Sequence, residues 1–134
     1  MSRAVLIAMA FGLAASAMSS PVLADDLAAK GEQVFRKNCL ACHALPSENK
    51  NAFGPSLHGV VGRHAGHAPG YGYSNAMKDS GITWTEEHLD GYLTSPQKYV
   101  GPVGYAPHKY VKMTFPGLDD PADRKAIIAF LKTN

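Results

Sequence analysis

The sequence predicts an all-α domain with long loops. Apolar residues recur at helical intervals near both ends of the chain, no run keeps the two-residue period of a strand, and proline and glycine crowd the middle. With 134 residues there is room for one core and little more. The hydrophobic fraction is 46% and the charged fraction 18%, an ordinary globular composition.

The first 24 residues read as a targeting segment. Arg3 is their only charge, an apolar and small-residue run extends from Ala4 to about Met18, and Val22-Leu23-Ala24 offers the small side chains a signal peptidase reads. That run falls short of the ~20 residues a spanning helix needs. Residues 1–24 are therefore expected to be a cleaved secretory signal and residues 25–134 the mature domain, with no stable membrane insertion after cleavage. The expected address is the bacterial periplasm. The residue directly after the expected cut is Asp25, not Cys, so the sequence gives no sign of a lipid anchor.

In the mature part, Leu27, Val34, Phe35 and Leu40 recur at helical spacing, with Asp25 and Asp26 suited to cap the start. Between Gly54 and Gly72 the chain carries six glycines with Pro55 and Pro69, a long loop for a small domain unless it wraps something other than protein. Thr85 can cap a short helix from Glu86 to about Leu93, stopped at Ser95-Pro96. The last helix has Asp120 at the cap, Pro121 at its first position, and Ile127, Ile128, Phe130 and Leu131 as an apolar face. Three or four short helices bury little surface alone. A large apolar prosthetic group would supply the missing core.

Charge excludes one class of partner. The net charge of +2 is too small for a general nucleic-acid binder. The two cysteines, Cys39 and Cys42, are too close together for a disulfide between them to stabilise much. With the residues between and after them they spell Cys39-Leu40-Ala41-Cys42-His43, the pattern of covalent haem attachment. Three apart at the end of a helix, the sulfurs face one way and can add to two vinyl groups along one porphyrin edge, while His43 can offer a nitrogen to the iron. A thioredoxin-like pair would want a βαβ context, and a zinc site would want four ligands. The βαβ context is missing and there is no second Cys pair, although histidines could in principle contribute to a zinc site. The expected cofactor is one haem c, bound through Cys39 and Cys42.

The sixth iron position separates a carrier from a catalyst. Met113, in the irregular stretch Lys112-Met113-Thr114-Phe115, lies far enough from His43 for the chain to travel round a porphyrin and close over its other face. Met77 is expected in a short helical turn, where core filling is the simpler role.

At this point the chain resembles a class I c-type cytochrome, of the mitochondrial type and its small bacterial periplasmic relatives. The resemblance rests on Gly31 and Phe35, Gly54 to Arg63, Gly81-Ile82-Thr83-Trp84, Tyr92-Leu93 followed by Pro96, the Lys112 to Phe115 stretch, and Ile128 to Lys132. It implies the cytochrome c fold, with helices and loops wrapped around one haem. It further implies that His43 and Met113 hold the iron, that Pro55 accepts from the His43 ring, and that Arg63, Tyr73 and Trp84 reach the haem propionates. Tyr92 would stand near the axial sulfur and Phe115 beside the exposed haem edge. Gly31 and Phe35 would meet Ile127 and Phe130 where the first and last helices cross. The resemblance departs at Gly101 to Val111, an insertion before Lys112-Met113 that contains His108, a rival ligand if that loop refolds.

The implied function is a soluble monohaem electron carrier of a respiratory or photosynthetic chain, not an enzyme. Its partners would be a membrane-bound donor complex and a terminal oxidase, reaction centre or dehydrogenase, with the carrier itself a monomer. The alternative is an electron-transfer subunit of a periplasmic dehydrogenase or oxidase complex. Lys37, Lys98, Lys109 and Lys112 are expected around the haem edge, with most acidic residues elsewhere, which would steer acidic partners to that edge.

Overall fold

The computed structural model describes residues 21–101, 104 and 109–134. Residues 1–20 of the expected signal and most of the insertion, His108 included, lie outside the described residues. Five α-helices follow one another: α1 (Pro21–Asn38), α2 (Asn75–Asp79), α3 (Glu86–Thr94), α4 (Pro96–Val100) and α5 (Pro121–Lys132), with a 3-10 turn at Pro46–Glu48. No strand forms among the described residues. The one extended pairing is an antiparallel bridge between His64 and Thr83.

Local chemistry sets most of the boundaries. Thr85 accepts from the His88 backbone and opens α3, and Asp120 accepts from Ala122 at 2.7 Å and opens α5 with Pro121 as its first residue. Pro96 both stops α3 and starts α4, since a proline cannot donate to a preceding turn yet fits the first turn of a new helix. This extra turn and α2, opened by Ser74, raise the helix count above the three or four expected. The start of α1 also differs from expectation. The helix begins at Pro21, so Asp25 and Asp26 lie inside it rather than at its cap. Leu23, Ala24, Leu27, Ala28 and Ala29 are helix formers that carry it through these positions.

The core is the crossing of α1 and α5. Phe35 and Phe130 meet there with ring centroids 5.5 Å apart, and Phe35 and Ile127 are fully buried. Gly31 makes the close approach possible, because a Cβ on it would stand 2.0 Å from the Ala126 carbonyl oxygen and 2.8 Å from Phe130 Cβ. Lys30 pairs with Asp123 across the same crossing at 3.0 Å. Arg124 ties α5 to α3 through Asp90 at 2.8 Å and accepts no slack at the turn before it, donating also to the Leu118 and Asp119 carbonyls. The long glycine-rich loop is held by backbone pairs to the segment before α3: Gly62 to Trp84, Trp84 to Arg63, and Ala65 to Ile82, all at 2.8–2.9 Å. It packs around a cleft, not against a second layer of protein.

Candidate haem cleft

α1 ends immediately before Cys39, and the chain continues in a tight turn with Cys42 and His43 both donating backbone N–H to the Cys39 carbonyl. This turn brings Cys39, Cys42 and His43 to one wall of a cleft of about 740 Å³. The same cleft is lined by Pro55, Arg63, Tyr73, Trp84, Tyr92, Met113 and Phe115. The residues expected to bind the cofactor thus share one cavity, although they come from the turn after α1, the glycine-rich loop, α3 and the segment before it, and the stretch after the insertion.

The His43 ring is buried and its Nδ1 lies 2.9 Å from the Pro55 carbonyl. A carbonyl only accepts, so Nδ1 carries the proton and Nε2 keeps its lone pair. Burial lowers the His43 pKa, and the Pro55 hydrogen bond partly opposes it. Gly54 is required beside this ring: a Cβ there would lie 2.6–2.9 Å from three of its atoms. On the Met113 side, the Tyr92 hydroxyl donates to the sulfur at 3.3 Å. Tyr92 itself is buried against Trp84, with ring centroids 4.8 Å apart, and burial raises its pKa.

Arg63 donates to the Ser56 and His58 carbonyls at 2.8 Å, which pins the loop around the cleft as well as placing a cation at its wall. The Tyr73 hydroxyl accepts from Ala68 N–H at 3.2 Å and retains its own proton to donate. Met77 is buried and lines the cleft, in agreement with a core-filling role.

Three roles escaped the sequence reading. Gln97, on α4, sends its Nε2 to the carbonyls of Val111 and Met113 at 2.9 and 2.8 Å and so holds the Met113 stretch in place. Its only sequence signal was a polar residue beside the insertion. Phe53, 84% exposed, stands at the cleft rim, and Gly54 carries the close approach just described. Two of the four lysines expected around the haem edge are engaged: Lys109 pairs with Asp79, and Lys112 donates to the Gly72 carbonyl.

Protein interiors hold few voids larger than a water molecule. A cleft of this size, within the roughly 300–1,000 Å³ usual for small-molecule sites, is a ligand's place. Its walls are mainly apolar, its edge carries two thiols, and an imidazole nitrogen and a thioether sulfur both open onto it. Burial, with a smaller contribution from Cys42, pushes the free Cys39 thiol up to about 12, far from the low values of redox-active Cys pairs. Residues 28–134 match the family model described as Cytochrome c.

The chain belongs to the cytochrome c family. Cytochrome c2 of Rhodoblastus acidophilus is 48% identical over 75% of this chain and 86% of its own length. Cytochrome c2 of Rhodomicrobium vannielii is 44% identical over 98% of this chain and 96% of its own. Among solved structures, cytochrome cH from Methylobacterium extorquens is similar with a TM-score of 0.68 and 44% identity, covering 80% of this chain and 98% of that one. Members of the cytochrome c family carry haem c covalently on two cysteines, and Cys39 and Cys42 are this chain's only pair. This cytochrome is a monohaem electron carrier, not an enzyme. No helix among the described residues is long and apolar enough to cross a membrane.

Proposed function

We propose that His43 Nε2 and Met113 Sδ take the two axial positions of the haem iron, and that the carrier works in the periplasm as a monomer between a membrane-bound donor complex and an oxidase, reaction centre or dehydrogenase. One observation supports the ligand pair above others. Two groups able to bind iron, one with its spare nitrogen fixed by Pro55 and one with its sulfur held by Tyr92, line a single cleft that also holds both cysteines.

When bound, the haem supplies the one-electron couple. His43 and Met113 would hold the iron in either oxidation state, so little would have to rearrange. Pro55 makes His43 a better donor by accepting a hydrogen bond from its ring N–H. Met113 would favour the reduced iron, as would the mainly apolar lining of the cleft, which disfavours added charge. Arg63, Tyr73 and Trp84 would take the propionates, which are costly to bury without donors. The secretory signal, cut after Ala24, would leave Asp25 as the first residue.

An oxidised and reduced optical spectrum of the purified protein tests the ligand pair. A c-type haem retained after acid-acetone extraction is expected, with a weak sulfur-to-iron band in the oxidised form and a reduced spectrum indifferent to carbon monoxide. Ready carbon monoxide binding, or the absence of the sulfur band, would remove Met113 from the iron.

A further inference from the structure

Outside the haem cleft, two histidine rings lie against each other on the surface. His64 and His67 stand on the glycine-rich loop with ring centroids 5.9 Å apart and planes at 59°, both rings exposed to solvent. From these we infer that His64 and His67 form a two-histidine site for a divalent transition-metal ion, with Cu²⁺ the preferred occupant and water completing the coordination.

The tautomers carry the argument. The His67 Nδ1 lies 2.8 Å from the Ala65 carbonyl, which can only accept, so the proton sits on Nδ1 and the lone pair on Nε2. The His64 Nδ1 lies 2.9 Å from the Thr83 hydroxyl. A hydroxyl can turn to accept, which leaves the His64 Nε2 free to bind as well. Each ring therefore has the outer partner on one nitrogen that metal-binding histidines usually have. Neither Nε2 has a hydrogen-bond partner among the described residues. With metal–nitrogen bonds of about 2.0–2.1 Å, two rings sharing an ion have centroids roughly 4.5–6.5 Å apart, depending on the angle at the ion. The observed spacing lies within that range.

The backbone between them is anchored. Ala65 is buried and donates to the Ile82 carbonyl at 2.8 Å, and the His64–Thr83 bridge fixes the other strand of the pair. The rings are thus held near one another before an ion arrives. No carboxylate or thiolate joins them, since the described residues contain no group of three or more such ligands. A site with two imidazoles and no charged donor suits the ion highest in the divalent affinity order, Cu²⁺.

The test is Cu²⁺ titration of the holoprotein, followed by calorimetry and by electron paramagnetic resonance of the bound ion. One ion per chain is expected, with nitrogen hyperfine structure from two imidazoles. His64→Gln and His67→Gln should each weaken binding by tenfold or more, and Thr83→Val by about tenfold through loss of the outer partner. His58→Gln should leave the affinity unchanged. The proposal is overturned if either His64→Gln or His67→Gln binds as tightly as the unaltered protein, or if the resonance shows one imidazole or none. An unaltered Soret spectrum in every variant would establish that the haem site was not disturbed.

Discussion

At the scale of single residues, the cleft depends on atoms that are absent as much as on those present. Gly54 leaves the space that the His43 ring occupies. Gly54→Ala is expected to tilt or expel that ring and yield a form that binds carbon monoxide when reduced. Pro55→Ala, which keeps the carbonyl, should retain the parent spectrum. Equal spectra for Gly54→Ala and the parent would contradict the packing seen here. Tyr92 offers a second case. Its hydroxyl draws electron density from the Met113 sulfur, which would make that sulfur, as the proposed ligand, a poorer donor to oxidised iron. Tyr92→Phe should therefore lower the reduction potential. If the hydrogen bond contributes about 0.5–1.5 kcal/mol, the fall is roughly 20–60 mV, measurable by equilibrium redox titration. A rise would show that the hydroxyl acts on the site in another way.

At the scale of elements, two contacts decide how the helices hold the site. The α1–α5 crossing admits no methyl group at Gly31, whose Cβ would overlap the Ala126 carbonyl. Gly31→Ala should cost at least ~1–3 kcal/mol, the usual range for overpacking, and lower the denaturant midpoint. An unchanged midpoint would mean that the crossing relaxes freely. The second contact links α4 to the Met113 stretch through Gln97. Replacing Gln97 by Leu leaves two carbonyls without their donor and should weaken the stretch by about 1–2 kcal/mol. The sulfur-to-iron band should then disappear at a lower guanidinium concentration than the global helix signal does. Gln97→Glu, whose ionised carboxylate can only accept, should be worse than Gln97→Leu. If both variants keep the parent band midpoint, Gln97 does not position the ligand stretch.

At the scale of the whole molecule, the net charge of +2 is small, so any steering would have to come from how the charges are distributed. The Lys109–Asp79 pair is nearly neutral to a distant partner, and Lys112 is turned toward the Gly72 carbonyl. Lys37 and Lys98 have no ion pair among the described residues. The electron-transfer rate with an acidic partner should fall as salt rises, but by less than about tenfold between low and physiological ionic strength. Asp79→Asn, which frees Lys109, should steepen that dependence. Stopped-flow rates at several salt concentrations would measure both, and a flat profile for the parent and the variant together would exclude steering by these lysines.

Much of this protein was legible in its sequence because its strongest signals are local. The Cys39 to His43 run fixes the attachment turn within five consecutive residues. Thr85, Pro96, Asp120 and Pro121 set helix ends through hydrogen bonds and ring geometry that reach no further than one turn. The glycine-rich loop, too long for a protein-only domain, already implied a large non-protein core. The start of α1 was misplaced because a cap preference of a few tenths to about 1 kcal/mol does not outweigh a run of helix-forming residues on either side of it.

The resemblance implied some of the distant meetings, Gly31 with the last helix among them; others only the tertiary structure decided. Gln97 reaches the Met113 stretch across the insertion, and Thr83 orients the ring of His64 across a loop. None of these partners lies within a turn or a strand repeat of the other. Their pairing is set by how the chain closes around the cleft, and that closure depends on the combined packing of the helices and loops, which no local pattern encodes.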